Sequence, residues 1–175
     1  MSTVLRQWAF LTYESTGSLD AAIERFFEAR SALNSWRQST PRDVWLRETS
    51  PAYLEYKSSI LRVQGASYFV ISADRQVVRI LDADPGLSRL PGELHDQVHQ
   101  MRNVIQHWDE WTKDELRRGR LTSAARLRDV DPEPWPFGFK FTTEMDFLVG
   151  GIISLSQMRD VFAALWRWRA TSSST

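Results

Sequence analysis

From Ser50-Pro51 to Asp82-Ala-Asp-Pro-Gly86 the chain has no interior proline and a single glycine, Gly65. An uninterrupted stretch of that length leaves few options besides a long helix. Ser50 is a good N-cap, and Pro51 occupies the first helical position, where its missing N–H costs nothing. Apolar residues continue through Leu54, Leu61, Tyr68 and Ile71 to Leu81, and the Asp-Pro-Gly turn signal stops them. Tyr68 to Leu81 is rich in β-branched residues, so a strand pair is the competing reading. The absence of any breaker after Gly65 favours the helix.

The rest of the chain divides in the same way. Gly17-Ser18 predicts a helix start, with Ser18 as cap and Asp20 in the first turn. Leu19, Ala22, Ile23, Phe26, Phe27 and Leu33 then recur at helical spacing up to about Trp36. The preceding segment, Val4 to Tyr13, is apolar but short, and helix and strand both remain open for it. Pro91 opens a third helix whose apolar seam steps by four and three through Leu94, Val98, Met101, Ile105 and Trp108. Its expected end is Arg118, with Gly119 as C-cap. The prolines of Asp131-Pro-Glu-Pro-Trp-Pro136 exclude a helix there. Phe137 to Val149 reads as a strand, turned by Gly150-Gly151 into a short hairpin with Ile152-Ile153. Ser154 or Ser156 caps a last helix through Met158, Phe162, Leu165 and Trp166. The expected fold is mainly α: a four-helix bundle with a small β-hairpin insertion before the last helix, one domain over residues 1–170 and a disordered tail over 171–175.

Composition narrows the function. The 175 residues are 42% hydrophobic and 25% charged, which suits a folded domain with one core. There is no cysteine, so disulfides and thiolate metal sites are excluded. No apolar run approaches the roughly 20 residues that span a bilayer, and Met1 to Phe10 does not read as a signal peptide, so no membrane partner and a cytoplasmic location are expected. The 22 basic and 22 acidic residues cancel, so any attraction to phosphate must come from a local patch. Lys57, Lys113 and Lys140 are the only lysines. That arginine bias suits bidentate phosphate contacts, although a GC-rich genome explains it equally well.

The third helix holds all three histidines, His95, His99 and His107, together with Arg102. On a helical wheel none of them falls on the apolar seam, and His107 lies on the far side. His95 and His99, one turn apart, have a spacing able to ligate a metal. Asp96 stands where a zincin-type His-Glu-x-x-His motif needs glutamate, so the expectation is solvated histidines, no metal and no cofactor.

Arg102-Asn103-Val-Ile-Gln-His107 resembles the Arg, four-to-six residues, His motif of the HEPN superfamily, including the Asn that often follows the Arg. Trp108-Asp109-Glu110-Trp111 and Gly119-Arg120 are also similar to sequences of that group. The motif-level similarity covers about residues 101 to 120, in the third helix, where the family places it. The resemblance implies a metal-independent endoribonuclease, a toxin or defence effector, acting as a homodimer whose two motif helices line one cleft. Arg102 would bind the scissile phosphate, His107 would transfer a proton to or from a ribose or leaving oxygen, and Asn103 would support them. Arg117, Arg118 and Arg120 would contact RNA. Family habit further implies an antitoxin protein as inhibitory partner.

Plainer roles stand beside these. Arg102 and His107 are about 140° apart on an ideal helix, so one helix does not aim both at one point. Arg102 is equally placed to pair with Asp109, and His107 to be an ordinary surface residue. A non-catalytic, HEPN-like helical dimer that binds protein or nucleic acid is the alternative. Trp166-Arg167-Trp168-Arg169 alternates stacking and phosphate-binding groups, but packing of Trp166 with solvated arginines is the favoured reading. Trp135-Pro-Phe-Gly-Phe139 reads as an exposed aromatic loop, suited to an RNA or partner contact but more often a lid over its own core. The nucleotide-binding glycine loops and the Gly-x-Ser-x-Gly elbow are absent.

Overall fold

The computed structural model describes residues 3–42, 44, 50–84, 86–106, 140–142 and 146–167, of which 102–106 and 140 are described in their backbone alone. The protein is mainly α-helical. Four helices are seen among the described residues: α1 (Thr3–Ser39), α2 (Pro51–Ala83), α3 (Leu94–Gln106) and α4 (Leu155–Arg167). Between α3 and α4 lie three short strands, β1 (Lys140–Phe141), β2 (Phe147–Val149) and β3 (Ile153–Ser154). They form an antiparallel sheet in the order β1-β2-β3. No described helix is long and apolar enough to cross a membrane.

The first helix corrects the expected boundaries. It is continuous from Thr3 to Ser39, so Gly17-Ser18 lies inside it and Ser18 caps nothing. The hydroxyls that suggest a break instead bond back onto their own helix. Thr12 donates to the Trp8 carbonyl at 2.9 Å, Ser15 to Leu11 at 2.7 Å and Thr16 to Tyr13 at 2.6 Å. Asp20 is a mid-helix residue paired with Arg159 of α4, not a first-turn charge. The segment Val4 to Tyr13 is helical.

Long seams explain why α1 and α2 hold together. Leu5, Ala9, Thr12, Thr16 and Leu19 are buried on α1, and Val63, Ser67, Val70, Asp74, Val77 and Leu81 on α2. Both runs alternate steps of four and three, the spacing of paired helices with knobs-into-holes packing. Small side chains in the seam permit close approach of the two backbones. Ser50 caps α2 as expected, accepting a 3.1 Å hydrogen bond from the Tyr53 amide, with Pro51 at the start. The strand pair over 68–81 is not formed.

The last helix runs antiparallel along the first half of α1. Trp166 meets Phe10 edge-on at 5.3 Å and packs beside Tyr13, while Arg159, two turns earlier, reaches Asp20. Trp166 therefore packs, and Arg167 is exposed over the rings of Tyr13 and Trp166. Ser154 caps α4, accepting from the Gln157 amide, and Asp146 in turn accepts from the Ser154 and Ser156 hydroxyls. The expected Phe137–Val149 strand is two strands where it is described, and Gly150 and Gly151 turn β2 into β3 with positive φ of 61° and 76°.

Candidate functional site

Helix α3 starts at Leu94, after a turn at Pro91-Gly92-Glu93, three residues later than the proline predicts. The Gln97 amide bonds to the Glu93 carbonyl at 2.9 Å and closes the first turn. Leu94, Val98 and Met101 are buried, so the seam read from the sequence is the packed face as far as side chains are described. Arg102 and Asn103 follow Met101 in the helical backbone. His107, Arg117, Arg118 and Arg120 lie outside the described residues, as do Trp135 to Phe139, the expected end of α3 at Arg118-Gly119 and the 171–175 tail.

The described chemistry concentrates one and two turns before Arg102. The connection after α2 folds back so that the start of α3 meets the end of α2. There the Asp82 carboxylate bridges two imidazoles: Oδ1 accepts from His95 Nε2 and Oδ2 from His99 Nε2, each at 2.9 Å. The two rings stand 5.2 Å apart, tilted by 56°. His95 is 2% exposed, His99 34% and Asp82 43%, so the cluster begins in the core and opens to solvent.

Its electrostatics follow from position. A carboxylate in the last turn of a helix faces unsatisfied carbonyls and is unfavourable there by itself. Desolvation, the largest single influence, raises the Asp82 pKa. The hydrogen bond from His95 and the charge of His99, with smaller contributions from the same pair, outweigh it and hold the carboxyl below its usual range. On the other side of His95, Nδ1 accepts from the Leu90 amide at 3.4 Å. With Nδ1 as acceptor, the His95 proton resides on Nε2 and points at Asp82.

This corrects the solvated reading of the paired histidines. The wheel places His95 off the seam of its own helix, but the Leu90 amide and Asp82 of α2 lie against that flank. Asp82 is the member of this cluster that the sequence does not single out, where it reads only as part of a stop signal. An acidic residue in a helix's final turn, against the dipole, was the available hint. A second group also escaped notice. Asp74 is completely buried in the α1–α2 seam, neither carboxylate oxygen has a hydrogen-bond partner among the described residues, and burial pushes its pKa well above the usual value.

The structure thus brings His95 and His99 together with Asp82, and threads Arg102 and Asn103 onto the same helix. Comparison with family models, curated proteins and solved structures finds no match to this chain.

Proposed function

We propose that the protein is a metal-independent endoribonuclease of the HEPN type, a toxin or defence effector acting as a homodimer with a composite site. In this reading the four helices form the family's bundle. Arg102 holds the scissile phosphate, His107 moves the proton, Asn103 supports both, and Arg117, Arg118 and Arg120 contact the RNA backbone. An antitoxin protein is the expected inhibitor. The reaction needs no metal because arginine supplies the charge stabilisation and histidine the proton transfer near neutral pH. Selectivity for RNA follows from the attacking 2′-hydroxyl.

The observation that carries the reading is the seat of Arg102-Asn103 on α3. The preceding residue, Met101, is fully buried, and Leu94 and Val98 anchor the turns before it. A phosphate-binding arginine gains from such a platform, because a rigid backbone limits the arrangements its guanidinium must give up on binding.

One observation supports a dimer independently of catalysis, and so keeps the non-catalytic dimer as the second reading. Leu54, Leu61 and Tyr68 recur every seven residues along α2 and are 56%, 57% and 44% exposed. A second helix laid along that stripe would bury it whether or not the protein cuts RNA.

Incubation of the protein and of its Arg102→Ala and His107→Ala variants with total RNA and structured tRNA, in the presence of a chelator, tests the proposal. Cleavage by the wild type alone supports the ribonuclease. Silence of all three at high concentration, with dimers present in solution, assigns the chain to the binding role.

A further inference from the structure

We propose that Asp82, His95 and His99 form a binding site for a divalent transition metal ion, with zinc the best-fitting occupant. The proposal is independent of the ribonuclease reading, whose chemistry uses other residues.

The donor set is two imidazole nitrogens and a carboxylate, with one ligand atom from each residue lying within 4.8 Å of the others. Zinc takes His nitrogens at about 2.0–2.1 Å and carboxylate oxygens at about 2.0–2.2 Å, so donors around one ion lie roughly 3–3.5 Å apart. Asp82 Oδ1 already stands 2.9 Å from His95 Nε2, and Oδ2 stands 2.9 Å from His99 Nε2. Drawing all three donors onto one ion closes separations of up to 4.8 Å by about 1–2 Å, within reach of side-chain rotation at the partly exposed His99 and Asp82. Three protein ligands leave a fourth position, and the partial exposure of His99 and Asp82 places it at the solvent side, where water completes the shell.

Backbone architecture supports the same assignment. His95 and His99 are one turn apart on a regular helix, which keeps two imidazoles on one side of it. Asp82 comes from a different helix, so the ion would pin α2 to α3 just before Arg102. The chain contains no cysteine and only one further histidine, His107. Any site built on two imidazoles must therefore use at least one of His95 and His99.

One contact opposes the ion in the present arrangement. Coordination by His95 Nε2 requires its proton to move to Nδ1, which now accepts from the Leu90 amide at 3.4 Å. Two N–H groups cannot face each other there, so the Leu90 amide must turn away when metal binds. That contact is already longer than an ordinary N–H hydrogen bond, so little is lost by releasing it. The metal-bound form thus carries a signature of its own, a changed environment at the Leu90 amide.

The test is equilibrium dialysis of the intact protein against Zn²⁺ alone, with Co²⁺ as a spectroscopic substitute. The expected result is one ion per chain, the intense visible bands of four-coordinate cobalt, and a shifted Leu90 amide resonance. His99→Ala and the isosteric Asp82→Asn, checked for folding by circular dichroism under chelator, are each expected to weaken binding at least by the ~10–100-fold that loss of a supporting partner costs at metal sites. Unchanged zinc affinity in a folded Asp82→Asn/His99→Ala double variant overturns the proposal, as does the absence of stoichiometric binding by the folded wild type. Neither readout uses RNA cleavage, so the two proposals fail separately.

Discussion

Gly150 lies so close to Met101 that a methyl group on its α-carbon would overlap the end of the methionine side chain. The contact ties the β2–β3 turn to α3 at the residue before Arg102. Gly150 also has a φ of 61°, a conformation that side chains resist. Gly150→Ala therefore meets two obstacles. The flexible thioether can relieve part of the overlap, but the backbone cost stays. The expected loss is about 1–3 kcal/mol in urea unfolding. Pairing the change with Met101→Ala should not restore wild-type stability, since the strained φ remains and a buried side chain has gone.

Asp74 makes stability depend on pH. Its folded-state pKa is raised by burial, so the native state keeps a proton that the unfolded chain releases above roughly pH 4. The group's contribution is therefore fully present below that value. It is lost as pH rises through the interval up to the raised folded pKa, at up to about 1.4 kcal/mol per pH unit. Asp74→Asn should flatten this decline. Asp74→Leu should also raise stability at pH 7 by about 1–3 kcal/mol, because it removes a buried carboxyl that has no partner among the described residues. Urea midpoints at pH 5 and pH 8 decide the matter: a wild type that loses no more stability between the two than the Asn variant does contradicts the raised pKa.

Gly17 sits within α1, and a methyl group built there meets nothing within 4 Å. Glycine in a helix interior costs about 0.5–1 kcal/mol relative to alanine. Gly17→Ala should stabilise the protein by that amount in thermal or urea unfolding. A loss of stability would mean that the helix is not continuous through Ser18 in solution.

The same glycine marks where local signals mislead. Gly17-Ser18 carries the features of a helix start, yet the Thr12, Ser15 and Thr16 hydroxyls bond back along the helix and tertiary packing carries it through. The α1–α2 seam was only partly legible, because Thr12, Thr16, Ser59, Ser67 and Asp74 occupy buried positions that a hydrophobic pattern skips. By contrast, Ser50-Pro51 and the Leu94–Val98–Met101 seam were legible because local and tertiary preferences agree there. The His95–Asp82–His99 cluster was half legible. Helical spacing pairs the histidines, but no periodicity relates residue 82 to residues 95 and 99. Only the packing of the end of α2 against the start of α3 brings the carboxylate to both.

The proposed composite site makes a prediction about mixed subunits. Arg102 and His107 are about 140° apart on an ideal helix, so a cleft shared by two motif helices can take the arginine from one chain and the histidine from the other. Arg102→Ala and His107→Ala homodimers should each be inactive. Dissociating and reassociating them together creates dimers with one intact arginine and one intact histidine on opposite chains, and RNA cleavage should return in part. The gain should follow the fraction of mixed dimers and vanish when subunit exchange is blocked by cross-linking. If mixed dimers form and stay silent, each motif works within its own chain. The dimer then has to be explained by the Leu54–Leu61–Tyr68 stripe of α2 instead of by catalysis.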